Sequence, residues 1–338
     1  MANGAGAICS RPVTEPLSGP TGTANPPTSA ARDIARLLAG IAAPTAAIPP
    51  KWFYDDLGSR LFAAITALPE YYPTRTEAEL LRAHLPAITA AAPVVGGTLV
   101  DLGAGDCGKA AALFPHLQPR DYVAVDISAE FLAGCLQRLQ RLHPQIAMQG
   151  VGTDFSERLE LPPSVPTGRR TFFYPGSSIG NFTPADAVAF LASVRTHMGD
   201  DGALWIGVDL QKPRTVLEPA YDDPLGVTAA FNKNVLTHVN RAAGTDFALA
   251  DWRHVAFYDS GPGRIEMHLE AVREVRVRWP GGGRSFARGE RIHTENSYKH
   301  TIPGFREMLQ RAGLRTAGHW TDPKGWFAFF VATPDGTA

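Results

Sequence analysis

The sequence predicts an α/β protein with a doubly wound, mostly parallel sheet and a second, α+β domain that binds substrate. Up to Asp209, short apolar segments alternate with amphipathic helical patterns, and beyond it the pattern becomes that of antiparallel strands. A glycine-rich turn follows the first of these strand-like segments. Because ligands bind at the carboxyl ends of parallel strands, we expect the functional site beside that turn.

The composition limits the class of protein. The chain has 338 residues, 44% of them apolar, which is enough for two domains with a sizeable core. Its 32 basic and 33 acidic residues give a formal net charge of -1, so the bulk charge recruits neither nucleic acid nor an anionic membrane. A small-molecule substrate fits this balance better.

Targeting and cysteine patterns point to a cytoplasmic protein. No apolar run approaches the ~20 residues of a membrane-spanning helix, and the N-terminus lacks the order of a signal peptide. The three cysteines are too scattered for a disulfide framework, and no Cys or His pair has metal-site spacing, so we expect no metal. The near-neutral charge and the lack of an exposed heptad pattern favour a monomer.

The N-terminal part begins with residues 1–28, which are mainly Gly, Ala, Pro, Ser and Thr and are expected to form a disordered tail. An amphipathic helix begins near Ser29. The aromatic-rich stretch 51–75 either packs on a sheet or forms a lid in which Tyr54 and Tyr71 offer hydroxyl groups to a ligand.

The helix after this stretch carries Ala78, Leu81 and Leu85 on one face. We expect it to open with a capping box made by Thr74 and Glu77. Pro86 should end or kink it, because proline removes a helical hydrogen bond.

The glycine turn follows a strand at 98–102. Its glycines are Gly103, Gly105 and Gly108. This spacing fits a dinucleotide fingerprint, with the acidic Asp126 about 20 positions further on. Asp101 favours another ligand, because an anion there would repel a pyrophosphate but attract a cationic sulfonium group. A buried aspartate that only supports the turn is the alternative.

Strands and helices continue to alternate after the turn. The further strands predicted in this half are 121–126, 147–151, 171–174 and 203–209. Ser128 and Thr183 are expected to cap the helices that follow two of them. Strands connected in this way form a parallel sheet.

The alternation breaks after Asp209. A helix starts at 221–224 and carries on one face Val227, Phe231, Val235 and Val239. The strands predicted next are 254–258, 264–269 and 275–279, and from Pro303 a helix and two strands, near 314–319 and 326–332, resume the α/β pattern. Residues 213–298 therefore resemble an insertion that packs with the N-terminal aromatic segment as a substrate-binding cap.

Several of these segments together resemble one family, the L-histidine Nα-methyltransferases of ergothioneine biosynthesis. The turn itself, Asp-x-Gly-x-Gly, resembles the first motif of class I S-adenosylmethionine-dependent methyltransferases. The other shared segments are Lys-Trp-Phe-Tyr-Asp at 51–55, Pro-Glu-Tyr-Tyr-Pro-Thr-Arg at 69–75, Gly-Ser-Ser-Ile-Gly-Asn at 176–181, Tyr-Asp-Asp at 221–223, Ile-Glu-Met at 265–267 and Thr-Glu-Asn-Ser at 294–297. They occur in the expected order and extend over most of the chain after residue 30.

The resemblance implies a set of binding residues. Contacts with S-adenosylmethionine fall on Tyr54, Gly103, Lys109, Asp126, Asp154 and Phe155. Contacts with histidine fall on Tyr71, Asn181 and Tyr221 at the amino-acid end, and on Met267, Glu295 and Ser297 around the ring. Tyr54 and Asn181 are the catalytic candidates. The chemistry agrees, since Asp126 can accept both ribose hydroxyls and Glu295 with Ser297 can hold an imidazole by both nitrogens.

The resemblance also implies a division of the chain. Residues 29–75 and 213–298 would form the substrate-binding domain, and residues 76–212 and 299–334 the Rossmann-like, class I methyltransferase domain that binds S-adenosylmethionine.

The implied function is the trimethylation of the α-amino group of L-histidine to hercynine, with S-adenosylmethionine as methyl donor and no metal. An N-methyltransferase of tryptophan, a tryptophan derivative or another aromatic amine on the same fold is the nearest alternative. An NAD(P)-dependent oxidoreductase and a noncatalytic binding module are more distant ones. Glu295 argues against an indole, because its carboxylate would face a carbon edge without a second partner.

Overall fold

The computed structural model describes residues 29–92, 95–127, 129–155 and 159–336. In chain order, its α-helices are α1 Ser29–Ala42, α2 Asp56–Ala67, α3 Tyr72–Ala91, α4 Gly108–Ala111, α5 Phe114–Leu117, α6 Ala129–Leu142, α7 Pro184–Met198, α8 Arg214–Leu217, α9 Val227–Ala243 and α10 Ile302–Arg311. Its strands are β1 Ala46–Ala47, β2 Thr98–Leu102, β3 Asp121–Asp126, β4 Ala147–Gly152, β5 Arg170–Tyr174, β6 Ala203–Asp209, β7 Trp252–Asp259, β8 Arg264–Ala271, β9 Val275–Trp279, β10 Gly282–Phe286, β11 Arg291–Tyr298, β12 Leu314–Thr321 and β13 Phe327–Pro334. Short 3-10 helices at Pro50–Phe53 and Ser178–Asn181 also contribute to the site.

The large sheet confirms the predicted α/β class I methyltransferase fold. Its seven strands lie in the order β12-β13-β6-β5-β2-β3-β4, and the five from β6 to β4 are parallel. The C-terminal strand β13 pairs antiparallel with both β6 and β12. Every residue of β2, β5 and β6 is buried, as expected for central strands covered by helices on both faces.

A second sheet carries the predicted insertion. Its order is β1-β11-β8-β7, and β9 and β10 form a separate hairpin. The N-terminal β1 pairs in parallel with β11, with Ala46 opposite Ile292. Phe53 stacks on Phe231 of α9 at a ring separation of 4.6 Å. The N-terminal aromatic segment and the insertion therefore share one hydrophobic cluster, as the sequence predicted.

The predicted capping box of α3 is wrong. The helix begins at Tyr72, with Pro73 in its first turn, so Thr74 already lies inside it. Pro86 does not end α3 either, and the helix continues to Ala91. Leu85 and Ile88 on either side of the proline are buried in a core cluster, and this packing offsets the lost backbone hydrogen bond.

Other predicted helix starts have mixed outcomes. Thr183 caps α7 as expected, accepting a hydrogen bond from the Asp186 N–H at 3.3 Å. The helix expected from 221–224 begins later, at Val227, because the Asp223 carboxylate accepts from the N–H groups of Val227 and Thr228 and holds the preceding turn. The predictions for the tail 1–28 and for Ser128 lie outside the described residues.

Candidate active site

The glycine turn lies where the strand order of the large sheet brings β2 and β3 side by side. Leu102 pairs with Val125, and the N–H groups of Gly103 and Ala104 both donate to the Val125 carbonyl, at 2.8 and 3.1 Å. Gly103 has φ of +72°, in the region that favours glycine. The turn is thus fixed against the end of β3.

Three predicted cofactor residues meet at this turn. The Gly105 N–H donates to Oδ2 of Asp126 at 3.0 Å. A Cβ built on Gly103 would lie 3.9 Å from the Phe155 ring, so the glycine leaves a shallow space beside an aromatic face. A carboxylate at the end of one strand, a side-chain-free turn at the end of the next and an aromatic ring beside them suit a nucleoside.

The sequence predicted that Asp101 attracts a cationic ligand, whereas the structure buries its carboxyl group against Tyr122. It is 2% exposed, and its Oδ2 accepts a hydrogen bond from the Tyr122 hydroxyl at 2.8 Å. Burial raises the pKa of Asp101 to about 7. Its carboxyl group therefore supports the strand end below the turn, which is the alternative that the sequence left open.

Lys109, the fourth cofactor candidate, is held by a buried glutamate. Its Nζ lies 2.6 Å from Oε2 of Glu77, whose Oε1 accepts from the Gly176 N–H at 2.7 Å. Glu77 is 1% exposed. It joins α3 to the glycine turn and to the loop after β5, a role that the capping-box interpretation missed.

Asp154, the candidate for the adenine amino group, is linked to the N-terminal segment. The Lys51 ammonium lies 3.0 Å from Asp154 and 2.9 Å from Asp33 of α1. Lys51 precedes Tyr54 by three residues, so this ion pair ties the segment that carries Tyr54 to the end of β4.

A cavity between the two sheets brings together the remaining candidates. Its walls contain every residue predicted to bind histidine and also Tyr54: Tyr54, Tyr71, Asn181, Tyr221, Met267, Glu295 and Ser297. The cofactor candidates other than Tyr54 lie outside these walls, around the glycine turn. Tyr54 is the one cofactor candidate among these wall residues, and burial, followed by the charges of Glu295 and Asp126, raises its pKa.

The register of β11 explains the position of the ring residues. Glu295 pairs with Met267 of β8, and the register shifts between His293 and Glu295. Such an irregularity re-aims the side chains that follow it. Glu295 and Ser297, two residues apart, then face the cavity together.

Glu295 is buried without a hydrogen-bond partner from the described part of the chain. It is 8% exposed, and burial raises its pKa to about 7, with Lys299 opposing the rise. The phenols of Tyr54, Tyr71 and Tyr221 also have pKa values well above the usual range because of burial, so they stay protonated at neutral pH. Glu295 is therefore a carboxyl group with a pKa near neutral, beside phenols that stay protonated.

Sequence reasoning missed several wall residues. Phe62, Ile65, Thr228 and Phe231 line the cavity. Phe231 had been placed on the buried face of α9 by its helical spacing, but that spacing cannot tell a core residue from a cavity wall. Asp209, at the carboxyl end of β6, also lines the cavity and pairs with Lys212 and Lys299. Its position at a strand end was the available signal.

None of the helices in the described ranges is long and apolar enough to cross a membrane. The same ranges contain no group of three or more His, Cys, Asp or Glu side chains suited to hold a metal ion.

Comparison with known proteins gives a consistent set of relatives. A family model described as histidine-specific methyltransferase, SAM-dependent, matches residues 32–334. The histidine N-alpha-methyltransferase of Mycolicibacterium smegmatis is 42% identical over 311 residues, covering 90% of this chain and 96% of the relative. That of Mycobacterium tuberculosis is 41% identical over 292 residues, covering 84% and 89%. Ergothioneine biosynthesis protein 1 of Schizosaccharomyces pombe is 27% identical over 298 residues, covering 85% of this chain and 39% of that protein.

Proposed function

This chain belongs to the family of S-adenosylmethionine-dependent, histidine-specific methyltransferases, and on that premise we propose that it methylates the α-amino nitrogen of L-histidine three times, giving hercynine. The names of the relatives support a role for this reaction in ergothioneine biosynthesis, of which it would be the first step. The observation that carries the proposal is the Glu295 carboxyl group, buried beside Ser297 with no protein donor from the described residues. A buried acceptor of this kind costs free energy unless a ligand satisfies it.

The ring end of the pocket suits an imidazole. Imidazole has two nitrogens on opposite sides of a flat ring, and one or both carry a proton. Glu295 and Ser297 share one face of β11 and provide one hydrogen-bonding group for each nitrogen. Met267, opposite Glu295, supplies an apolar contact for the ring.

The amino-acid end would hold the backbone groups of the substrate. Tyr71 and Tyr221 present phenolic hydroxyls that stay protonated and can donate to a carboxylate. Asn181 ends the 3-10 helix Ser178–Asn181 and offers an amide to the same region. These assignments rest on the resemblance and on the shared cavity.

The residues around the glycine turn fit S-adenosylmethionine, whose sulfonium carries the methyl group to be transferred. We propose that Asp126 accepts from the ribose hydroxyls, that Asp154 and Phe155 contact the adenine and that Gly103 lets the backbone approach. Lys109 would act on the methionine end from its position between Glu77 and Gly176. The donor then lies on the opposite side of Tyr54 from Glu295.

Catalysis would consist mainly of alignment. The transfer is an in-line displacement by a neutral amine, and a free α-amino group with a pKa of about 8 is partly deprotonated at neutral pH. Tyr54 keeps its proton, because burial raises its pKa. We therefore propose that Tyr54 orients the amine by hydrogen bonding together with Asn181. A phenolate base is not involved.

The chain itself would supply the whole site. Residues 29–75 and 213–298 would form the substrate-binding domain, and residues 76–212 and 299–334 the donor-binding domain. On the near-neutral charge and the lack of an exposed heptad pattern, we propose a monomer with no nucleic-acid, membrane or metal partner. Histidine and S-adenosylmethionine are intracellular metabolites, which supports a cytoplasmic enzyme.

The direct test is mass spectrometry of a reaction that contains the protein, L-histidine and S-adenosylmethionine. We expect trimethylated histidine, and its absence would contradict the assignment. Tryptophan in place of histidine tests the nearest alternative, an N-methyltransferase of tryptophan or a related amine. No feature of the ring end of the pocket favours an indole.

The role of Tyr54 has its own test. Tyr54→Phe removes the hydroxyl but keeps the ring, which packs on Phe62 and Phe231 at 5.9 Å. We expect kcat to fall about tenfold, the size of one lost hydrogen bond to a reacting group. Full turnover with an unchanged pH profile would remove Tyr54 from the catalytic role.

A further inference from the structure

A buried cluster of three charged residues lies directly behind the amino-acid end of the cavity. Asp209 forms ion pairs with both Lys212 and Lys299, the latter at 2.8 Å, and accepts from the Tyr72 hydroxyl at 2.6 Å. The side chains of all three charged residues are at most 1% exposed. Two ammonium groups therefore share one directly bonded carboxylate, while Asp322 acts on Lys212 and Glu295 acts on Lys299 through their charges.

The two lysines differ in what else they touch. Lys212 donates to the Tyr72 hydroxyl and to the Leu210 carbonyl, away from the cavity. Lys299 donates to the Tyr221 hydroxyl at 2.9 Å and to Oγ of Ser297 at 2.8 Å, both of which line the cavity. Both lysines therefore pair with Asp209, but only Lys299 also bonds to the two cavity hydroxyls of Tyr221 and Ser297.

The hydrogen-bond partners of Lys299 fix the direction of these contacts. An ammonium group has three N–H donors and no lone pair, and Lys299 has three acceptors in Asp209, Tyr221 and Ser297. Both hydroxyl oxygens must therefore accept from Lys299. Their own protons are left for each other or for the ligand.

Tyr221 and Ser297 are themselves 2.8 Å apart. One of their two protons makes this bond, so only one remains for the cavity. If Ser297 donates to Tyr221, the Tyr221 phenol receives two hydrogen bonds and must donate its proton outward. A phenol polarised in this way is a strong donor to an anion. Ser297 keeps a lone pair that can accept a ring N–H.

We propose that Lys299 is a positioning residue that makes the Tyr221 and Ser297 wall selective for an amino acid with a free α-carboxylate. This inference rests on the proposed function, since it places the substrate carboxylate beside Tyr221. Lys299 acts through its charge and by bonding to both hydroxyl oxygens, which leaves one hydroxyl proton of the pair for the substrate, and it does so without touching the substrate.

The variant Lys299→Met tests the proposal, and Lys212→Met is its matched control. Both changes remove a fully buried ammonium that pairs with Asp209, but only the first removes the donor to Tyr221 and Ser297. In either variant Asp209 keeps the Tyr72 hydroxyl and the other lysine. The probes are L-histidine and L-histidinol, which has a hydroxymethyl group in place of the carboxylate.

Affinities for both probes are measured by calorimetry with S-adenosylhomocysteine present. We expect the wild type to prefer histidine and Lys299→Met to bind histidine about tenfold or more weakly, the size of a lost charge-assisted hydrogen bond. Binding of histidinol should change little, so the preference collapses. In turnover with histidine, KM should rise more than kcat falls. Lys212→Met should keep the preference.

The outcomes separate the two proposals. A folded Lys299→Met that keeps the wild-type preference, or an equal collapse in Lys212→Met, overturns the role of Lys299. If Lys299→Met does not fold, Lys299→Gln, which keeps an N–H donor but no charge, decides in the same way. A wild-type protein that binds neither probe contradicts the proposed function instead.

Discussion

Two buried glutamates of this protein differ in their hydrogen-bond partners, and this difference distinguishes a residue proposed to bind a ligand from a structural one. Glu77 is 1% exposed and is bonded to Lys109 and to the Gly176 N–H. Glu295 is 8% exposed and has no hydrogen-bond donor among the residues described. We propose that Glu295, whose carboxyl group opens onto the cavity, keeps its hydrogen-bonding capacity for a ligand, whereas the carboxylate of Glu77 is already bonded within the protein.

The largest expected effect follows from removing the unpartnered carboxylate. Glu295→Ala should lower kcat/KM for histidine about 100-fold, because the ring loses a buried charged partner, and should shift preference toward tryptophan. Steady-state kinetics with both amino acids measure the change. Glu266→Ala is the matched control, since Glu266 is 9% exposed but bonds to Arg264 and His268 on the other face of β8. Unchanged preference in Glu295→Ala would remove Glu295 from the ring site.

Removing the partnered glutamate should act on stability. Glu77→Ala leaves the Gly176 N–H buried without its acceptor and takes away the partner of Lys109, whose side chain is 41% exposed. We expect the free energy of unfolding to fall by about 2 to 3 kcal/mol, somewhat less than for a fully buried pair, because water reaches the lysine. Urea denaturation measures this loss. A stability equal to that of the wild type would mean that Glu77 is not structural, and the comparison would fail.

A third prediction concerns the pH dependence of stability. The pKa of Glu295 is about 7 in the folded protein against an ordinary value of 4.5. Between these two values the folded state holds a proton that the unfolded state lacks, so stability falls as pH rises through this window. Glu295→Gln cannot lose a proton, and above pH 7 we expect the ligand-free variant to be about 2 kcal/mol more stable than the wild type while being less active.

Thermal or urea unfolding at several pH values between 4.5 and 8 checks this third prediction. The difference between variant and wild type should grow with pH and level off above 7. A difference that stays constant over this range would show that the pKa of Glu295 is not raised in the folded protein.

The fold was largely predictable because strand-forming segments are local. The apolar runs that became β2, β3, β5 and β6 lie within a residue or two of their expected bounds. The residues proposed to bind the imidazole ring could be predicted only from the family resemblance. The spacing of residues within β11 does not indicate that Glu295 faces a cavity. Asp101 shows the limit of charge reasoning, because the sequence could not reveal that its carboxyl group is buried and bonded to Tyr122.

The contacts that the sequence did not predict join residues that are far apart in the chain. Glu77 and Gly176 are 99 residues apart, and Tyr72 and Asp209 are 137 apart. Helical or strand periodicity extends over a few residues, so it cannot reveal such pairs. Lys299 was overlooked for the same reason, since its partners Asp209 and Tyr221 are far from it in the chain, although it directly follows the last residue of β11.

The pairing of β1 with β11 has a consequence for how the chain is made. Ala46 leaves the ribosome long before Ile292, its neighbour in the finished sheet, so the segment that carries Tyr54 has to wait for almost the whole polypeptide before it can settle. The cavity that carries Tyr54 and Glu295 should accordingly form later than the five parallel strands β2 to β6, which are complete by Asp209. A chain stalled before β11 would then contain these five strands without gaining activity.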